Sequence, residues 1–463
     1  MYHFLRRRLL LLLPIAALLF AGNASAQSGQ SAPVGSIDTS TWVSTSQGSY
    51  GGVAYTRYEA MFEGSTSNNR PFRVPCQIIA PANPAQGSGL LLYDWLVPST
   101  IYTVVGQEQA DARYTMTDNF LFGRGVSYAT VRSDIRGIGK SSPVINSSRP
   151  WSDDLLDTSS EFIASSGDEF DIVVAYMHAL RTDPLALQVL GAVQRRAAFG
   201  YSASGYNLRG LLRAKIGIGL FDFSLVGGTG NGYVIPTGFG PGSSLNGVGI
   251  GFTPAERNPL PGAGREIDFQ SETDIVVLGA HKIRREAANY RVYQFAGAAH
   301  LRDLDAAEFG LADPQSANNA EWTPFFRALF VAGNNWCDGV QPPPSLWLGA
   351  QNDANIVRDA KGNALVTHVG GQAVSTTAHR LPAVAVGENQ YLPFDPSYVD
   401  GSFLGDLRAL AGSHVDLTGS FTNHAAYVAQ ITQHANGLLA GGYLLQEDAD
   451  AIILTASQSS IGN

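Results

Sequence analysis

Short apolar runs at residues 90–93, 126–131, 197–199, 220–226, 267–269 and 292–295 constrain this chain more than any other feature. Runs this short, with little polarity inside them, suit strands buried on both faces, as in a parallel sheet. Helical patterns fall between several of them, most clearly at residues 169–180, where Phe170, Val173, Val174 and Met177 recur on one face. Alternating strand and helix predict an α/β fold: a mostly parallel central sheet flanked by helices, with ligands beyond the carboxyl ends of the strands. Upstream, residues 52–63 and 72–80 alternate apolar and polar positions, which predicts a hairpin at an antiparallel edge of the sheet. Residues 227–264 are Gly- and Pro-rich and nearly uncharged, and suit an insertion or lid as well as a plain surface loop. After Cys337 the chain becomes turn-rich, through Pro342-Pro343-Pro344, and residues 423–439 predict a late helix.

The first 26 residues carry Arg6-Arg7-Arg8, an apolar run over 9–21 and Ala24-Ser25-Ala26. That is the layout of a secretory signal peptide cut after Ala26, so the protein is expected to be exported, periplasmic or secreted, with no stable membrane anchor afterwards. Cleavage would remove three arginines and no acid, taking the formal charge from −9 to about −12. Nothing in so acidic a chain forms a basic stripe, which excludes nucleic acid as an expected partner. Residues 27–49, rich in Ser, Thr, Gly and Gln, predict a flexible lead-in. Cys76 and Cys337 permit one disulfide, and no C-x-x-C or H-E-x-x-H spacing points to a metal or other cofactor.

Chemistry is signalled at Phe199-Gly200-Tyr201-Ser202-Ala203-Ser204-Gly205, where an apolar run gives way to helical spacing at Leu208, Leu211 and Leu212. A serine nucleophile on a sharp strand-to-helix turn needs small residues two before and two after it, and Gly200 and Ser204 meet that need around Ser202. The same string also suits Ser202 as a helix N-cap, and locally both readings stand. Gly125-Val126-Ser127-Tyr128-Ala129 is a near-match, but Ser127 lies inside a β-prone run.

A serine hydroxyl needs a base, and the base needs an acid to hold its tautomer. Among the histidines, His300 directly follows an apolar run and enters the small-residue loop Ala296-Gly297-Ala298-Ala299. His281 reads as a surface residue, His178 lies in a helix, and His368, His379, His414, His424 and His434 fall in the distal segment, where structural roles predominate. For the acid, Gln270-Ser271-Glu272-Thr273-Asp274 follows residues 267–269, making Asp274 the first candidate and Glu272 the alternative, with Asp222 a distant third. The carboxylate not used would bond to loop N–H groups. Oxyanion donors are expected at the backbone of Ala203 and of Trp95, with Leu96 as the other choice for the second.

Asp134-Ile135-Arg136-Gly137-Ile138-Gly139-Lys140-Ser141 resembles the D-x-R-G-x-G-x-S loop after the fourth strand of many α/β hydrolases. More narrowly, the chain resembles bacterial alpha/beta hydrolase domain proteins. The likeness runs through Phe199 to Gly205 with Leu208-Arg209, Gln270 to Asp274, Ala296 to His300, Asp338-Gly339-Val340, Arg380-Leu381-Pro382 and His424 to Val428. It departs at Ala203, where relatives often have Gln. The resemblance implies the α/β-hydrolase fold over residues 50–310, with 227–264 inserted and 311–463 either as a C-terminal extension packed on the core or as an integral part of it. It further implies a serine hydrolase with a triad at Ser202, Asp274 (or Glu272) and His300. On this reading the substrate is a small-molecule or polymeric carboxylic ester; a peptidase or amidase using the same groups, and an inactive binding protein on this scaffold, are the alternatives. Ser at position 202 speaks against dehalogenase chemistry, which uses Asp there.

Overall fold

The computed structural model describes residues 31–96, 112–133, 168–232, 258–301, 317–350, 353–399 and 408–463. The expected signal peptide at 1–26, the loop at 134–141 and most of the 227–264 insertion lie outside the described residues. The chain divides into two compact units, the first including residues 31–226 and 232–265, the second 227–231 and 266–463.

In chain order the strands of the first unit are β1 (Val34–Ile37), β2 (Val43–Tyr50), β3 (Val53–Ser65), β4 (Pro71–Pro81), β5 (Leu90–Asp94), β6 (Ser127–Val131), β7 (Arg195–Tyr201) and β8 (Phe223–Gly227). Their spatial order is β1-β3-β4-β6-β5-β7-β8, with β2 also paired to β3. β3 and β4 form the antiparallel hairpin expected near 52–63 and 72–80, β4 runs antiparallel to β6, and β6, β5 and β7 are parallel. Every residue of β5, β6 and β8 is buried, as strands covered on both faces require.

From Val34 onward the flexible lead-in expected over 27–49 is corrected by β1 and β2. The exposed Ser/Thr/Gln character of β2 reads as a linker, yet a strand at the margin of a sheet needs only backbone pairing on one side. Gly51 and Gly52, both at positive φ, close a two-residue hairpin between Tyr50 and Val53, and Trp42 stacks on Tyr58 at 5.2 Å.

The helix α1 (Glu169–Thr182) is buried on nearly every side, well beyond the one face its spacing suggests; His178 is exposed. Tyr176 packs edge-on against Phe62 and donates its hydroxyl to the Gln77 carbonyl. The helix α2 (Ala203–Leu212) follows β7 directly.

The second unit contains β9 (Arg265–Ser271), β10 (Tyr290–Phe295), β11 (Leu346–Trp347), β12 (Val366–Val369) and β13 (Gln372–Thr376). β9, β10 and β11 are parallel neighbours, and β12 and β13 continue antiparallel. Its helices include α3 (Glu272–Val276), α4 (Thr323–Cys337), α5 (His424–Ala440) and α6 (Gln446–Gln458), and a separate hairpin pairs β14 (Asn389–Leu392) with β15 (Ser413–Asp416). Within the segment 311–463, β11 and α4 pack directly on the strands before it. β11 adds directly to β10, and α4 sends Phe325 and Phe326 against Phe295 and Phe269, with ring centroids 4.3 and 3.8 Å apart.

Neither Cys76 nor Cys337 is in a disulfide in this structure. Cys76 is buried in β4, where desolvation pushes its thiol pKa up, and Cys337 donates its S–H to the Gly333 carbonyl within α4. Among the described residues no helix is long and apolar enough to cross a membrane.

Candidate active site

The elbow belongs to the first unit. β7 ends at Tyr201, α2 begins at Ala203, and Ser202 between them has φ 53° and ψ −121°. A non-glycine residue in that region costs about 1–3 kcal/mol and persists only where its surroundings enforce it. Gly200 contributes to that enforcement by being bare: a Cβ there would lie 2.9 Å from the Ser204 carbonyl oxygen and 3.1 Å from the Gly205 nitrogen. Ser202 accepts the first helical bond at its carbonyl, from Tyr206 N–H at 3.0 Å, but its side chain makes no capping hydrogen bond. The strained backbone and the missing cap separate it from an ordinary N-cap serine. It is half-buried.

Ser204, which stands where the common motif has Gly, supplies a contact that sequence reasoning missed. Its fully buried hydroxyl accepts from Tyr201 N–H (3.0 Å) and donates to Tyr201 O (2.9 Å), clipping the last strand residue to the helix start. The available signal was a small hydroxyl residue at a position that needs smallness. α2 also holds both ends of the 227–264 insertion that fall within this unit: Arg209 donates to the Gly232 carbonyl at 3.1 Å, and Leu260 N–H to the Leu212 carbonyl at 2.9 Å.

The acid and base candidates belong to the second unit. β9 ends in Ser271, which caps α3 through a capping box: Ser271 Oγ accepts from Asp274 N–H at 3.2 Å, and Asp274 Oδ2 accepts from Ser271 N–H at 2.7 Å. The other carboxylate oxygen of Asp274 lies 2.7 Å from Nδ1 of His300, in a pair with both side chains buried. One oxygen is thus fixed by the backbone while the other meets the imidazole. Of the two carboxylates in this turn, Asp274 is the one on His300. Glu272 faces elsewhere, accepting Gly297 N–H at 2.8 Å and pairing with Arg358. Asp222, in the first unit, accepts from Arg196 N–H at 2.7 Å, an ordinary structural bond.

The strands beneath this pair are tied by buried polar groups. On β9, Asp268 accepts from Gln270 and from the Tyr290 hydroxyl, and Gln270 accepts Gly230 N–H at 2.8 Å. On β10, Gln294 accepts from Arg284 Nε at 2.8 Å, and burial pushes that guanidinium down to about 10.

Two expectations are corrected here. Trp95 N–H donates to the Phe199 carbonyl at 2.9 Å, so it is engaged in the sheet and cannot be the second oxyanion donor; its ring packs edge-on to Phe170 at 5.4 Å. His281 is not a surface residue: it is buried in a short 3-10 turn, with Nδ1 3.2 Å from the Ile275 carbonyl. Among the distal histidines, His414 and His424 lie within hydrogen-bond distance of the Ala317 and Ile461 carbonyls. Among the described residues, no group of three or more His, Cys, Asp or Glu side chains is placed to hold a metal ion.

The first unit thus holds a serine at positive φ between a strand and a helix, and the second unit holds a buried carboxylate–imidazole pair after two parallel strands. The alpha/beta hydrolase domain model matches residues 50–454, and the chain belongs to that family, whose fold is a mostly parallel sheet flanked by helices. No curated protein matches it in sequence. Among solved structures it is similar to oligopeptidase B from Leishmania major at 13% identity, TM-score 0.25, over 49% of this chain and 34% of that one. It is also similar to a glucuronoyl esterase from Solibacter usitatus at 11% identity, TM-score 0.30, over 62% of this chain and 86% of that one, and to an esterase from Clostridium hathewayi at 13% identity, TM-score 0.25, over 43% and 46%. The chain thus spans about a third of the oligopeptidase's length, and likeness at this level says nothing about substrate.

Proposed function

We propose that this protein is an exported serine hydrolase that cleaves carboxylic esters through an acyl-enzyme, with Ser202, His300 and Asp274 as its triad. The observation that carries this reading is the buried Asp274–His300 hydrogen bond of 2.7 Å, and the strained backbone of Ser202 at the end of β7 supports it separately. In the proposed reaction His300 Nε2 takes the Ser202 proton as Oγ attacks the ester carbonyl. Asp274 holds Nδ1–H and stabilises the imidazolium. The oxyanion is received by the N–H of Ala203, the first helical residue, and by Leu96 N–H in place of Trp95. Collapse breaks the carbon–alkoxy bond, and the departing alcohol takes the proton from His300. Water, deprotonated by His300, then attacks the acyl carbon, releasing the carboxylic acid and restoring Ser202.

The decisive experiment is labelling with a fluorophosphonate probe. Wild type is expected to label, Ser202→Ala not at all, and His300→Ala and Asp274→Asn several orders of magnitude more slowly. Undiminished labelling of Ser202→Ala would place the nucleophile elsewhere. Paired p-nitrophenyl esters and anilides test the ester reading, which requires turnover of the esters to dominate. Export is tested by the N-terminus of the secreted chain, expected at Gln27.

A further inference from the structure

Three consecutive side chains, Glu272, Thr273 and Asp274, all fully buried or nearly so, reach the loop that carries His300. Asp274 meets the imidazole itself. Thr273 Oγ1 accepts the backbone N–H of His300 at 3.2 Å and donates to the Pro393 carbonyl. Glu272 holds the start of the loop from two directions: its Oε2 accepts Gly297 N–H at 2.8 Å, and its own N–H donates to the Ala298 carbonyl at 2.9 Å. Asn318 holds the next peptide, donating to Gly297 O at 2.9 Å. Gly297 sits at φ 79°, a left-handed turn in which its peptide groups need outside partners, and a Cβ there would come within 3.0 Å of Val384. The second oxygen of Glu272 receives the guanidinium of Arg358, whose side chain is 38% exposed while that of Glu272 is 1% exposed.

We propose that Glu272, with Arg358 as its counter-ion, is a positioning residue for the general base: it fixes the 296–300 loop so that the His300 imidazole is presented to Asp274 in one orientation. This rests on the reading of His300 as the base. A buried carboxylate whose two oxygens are divided between a backbone N–H and a guanidinium resists rotation, because moving it leaves a charge or an amide unpaired in a dry environment. A base displaced by about 1 Å loses on the order of 100-fold in rate, so a group that never touches substrate can still govern turnover.

The test compares Glu272→Ala, Glu272→Gln, Arg358→Met and Asp274→Asn in the full-length protein, measuring kcat and KM on a p-nitrophenyl ester. Each variant is also examined by proton NMR with 15N-labelled histidine, following the downfield Nδ1–H resonance of His300. Glu272→Ala is expected to lower kcat about 10–100-fold with KM within about two-fold, and to broaden or lose that resonance. Glu272→Gln, which keeps an acceptor for Gly297 N–H, is expected to recover most of both. Arg358→Met, a change at a partly exposed side chain, keeps the experiment interpretable if Glu272→Ala does not fold, and is expected to show a smaller loss of the same kind. A wild-type kcat and resonance in Glu272→Ala, or in Arg358→Met when the alanine variant does not fold, overturns the proposal. So does a Glu272→Gln loss as large as that of Asp274→Asn, which would make Glu272 the acid. Failure of the underlying reading is separate: it appears as full activity in Asp274→Asn or as persistent labelling in Ser202→Ala.

Discussion

At the scale of single residues, the elbow is held by what stands on either side of Ser202. Gly200 leaves room for the helix start, and Ser204 fastens both backbone groups of Tyr201. Replacing Ser204 by Ala removes a buried donor and acceptor at once, leaving polar backbone atoms of Tyr201 without that partner. The expected cost is about 1–3 kcal/mol, read as a lower urea midpoint at unchanged m-value, with slower fluorophosphonate labelling because Ser202 loses its enforced geometry. A Ser204→Ala variant as stable and as reactive as wild type would show that the elbow is held by sterics alone. The position was legible in the sequence as small. Its hydrogen-bonding role was not, because smallness and bond-making at one site give the same letter.

At the scale of elements, α5 shows how a predicted helix acquires its place. Asn423 caps it by accepting Ala426 N–H at 2.9 Å, and Tyr427 in its first turn donates to Glu388 at 2.7 Å. Burial holds the Glu388 carboxyl above the usual carboxylate range, against the opposing effect of that hydrogen bond. A carboxyl with a raised folded-state pKa binds its proton more tightly in the folded protein. Its contribution is therefore full below the unfolded value, about 4.3, and is lost as pH rises through the folded value. Tyr427→Phe removes the bond that favours the ionised form. The variant should cost about 1.5–3 kcal/mol at pH 7 and only about 0.5–1.5 kcal/mol near pH 4, compared by denaturant unfolding at the two pH values. An equal cost at both would mean that the carboxyl does not change charge between them. The capping Asn and the apolar spacing of this helix are local signals and were readable; Glu388, 39 residues upstream of Tyr427, was not.

At the scale of the whole molecule, α4, from the late part of the chain, packs on the strands that carry the acid and base candidates. Phe269 and Phe295 lie on the two strands leading to Asp274 and His300, and both stack on α4, from beyond residue 310. Phe326→Ala is expected to cost about 3–5 kcal/mol and to lower kcat together with thermal stability, because the emptied space lies against Phe269 on β9, which itself packs on Phe295 of β10. Calorimetry beside a kinetic assay decides the matter: a loss under about 1 kcal/mol would return 311–463 to the status of a dispensable extension.

The order of strands and helices, the hairpin at 52–63 and 72–80, the elbow at Ser202 and the shortlist of acid and base were all determined along the chain. Each depends on spacing or on residue type over fewer than about 20 positions. The choice between Asp274 and Glu272 as partner of His300 came from tertiary structure, as did the engagement of Trp95 N–H with Phe199 and the pairing of β1 and of β2 with β3. These depend on which groups meet across the fold. Two carboxylates separated by one residue look alike in sequence, and only folding turns one toward an imidazole and the other toward an amide and a guanidinium.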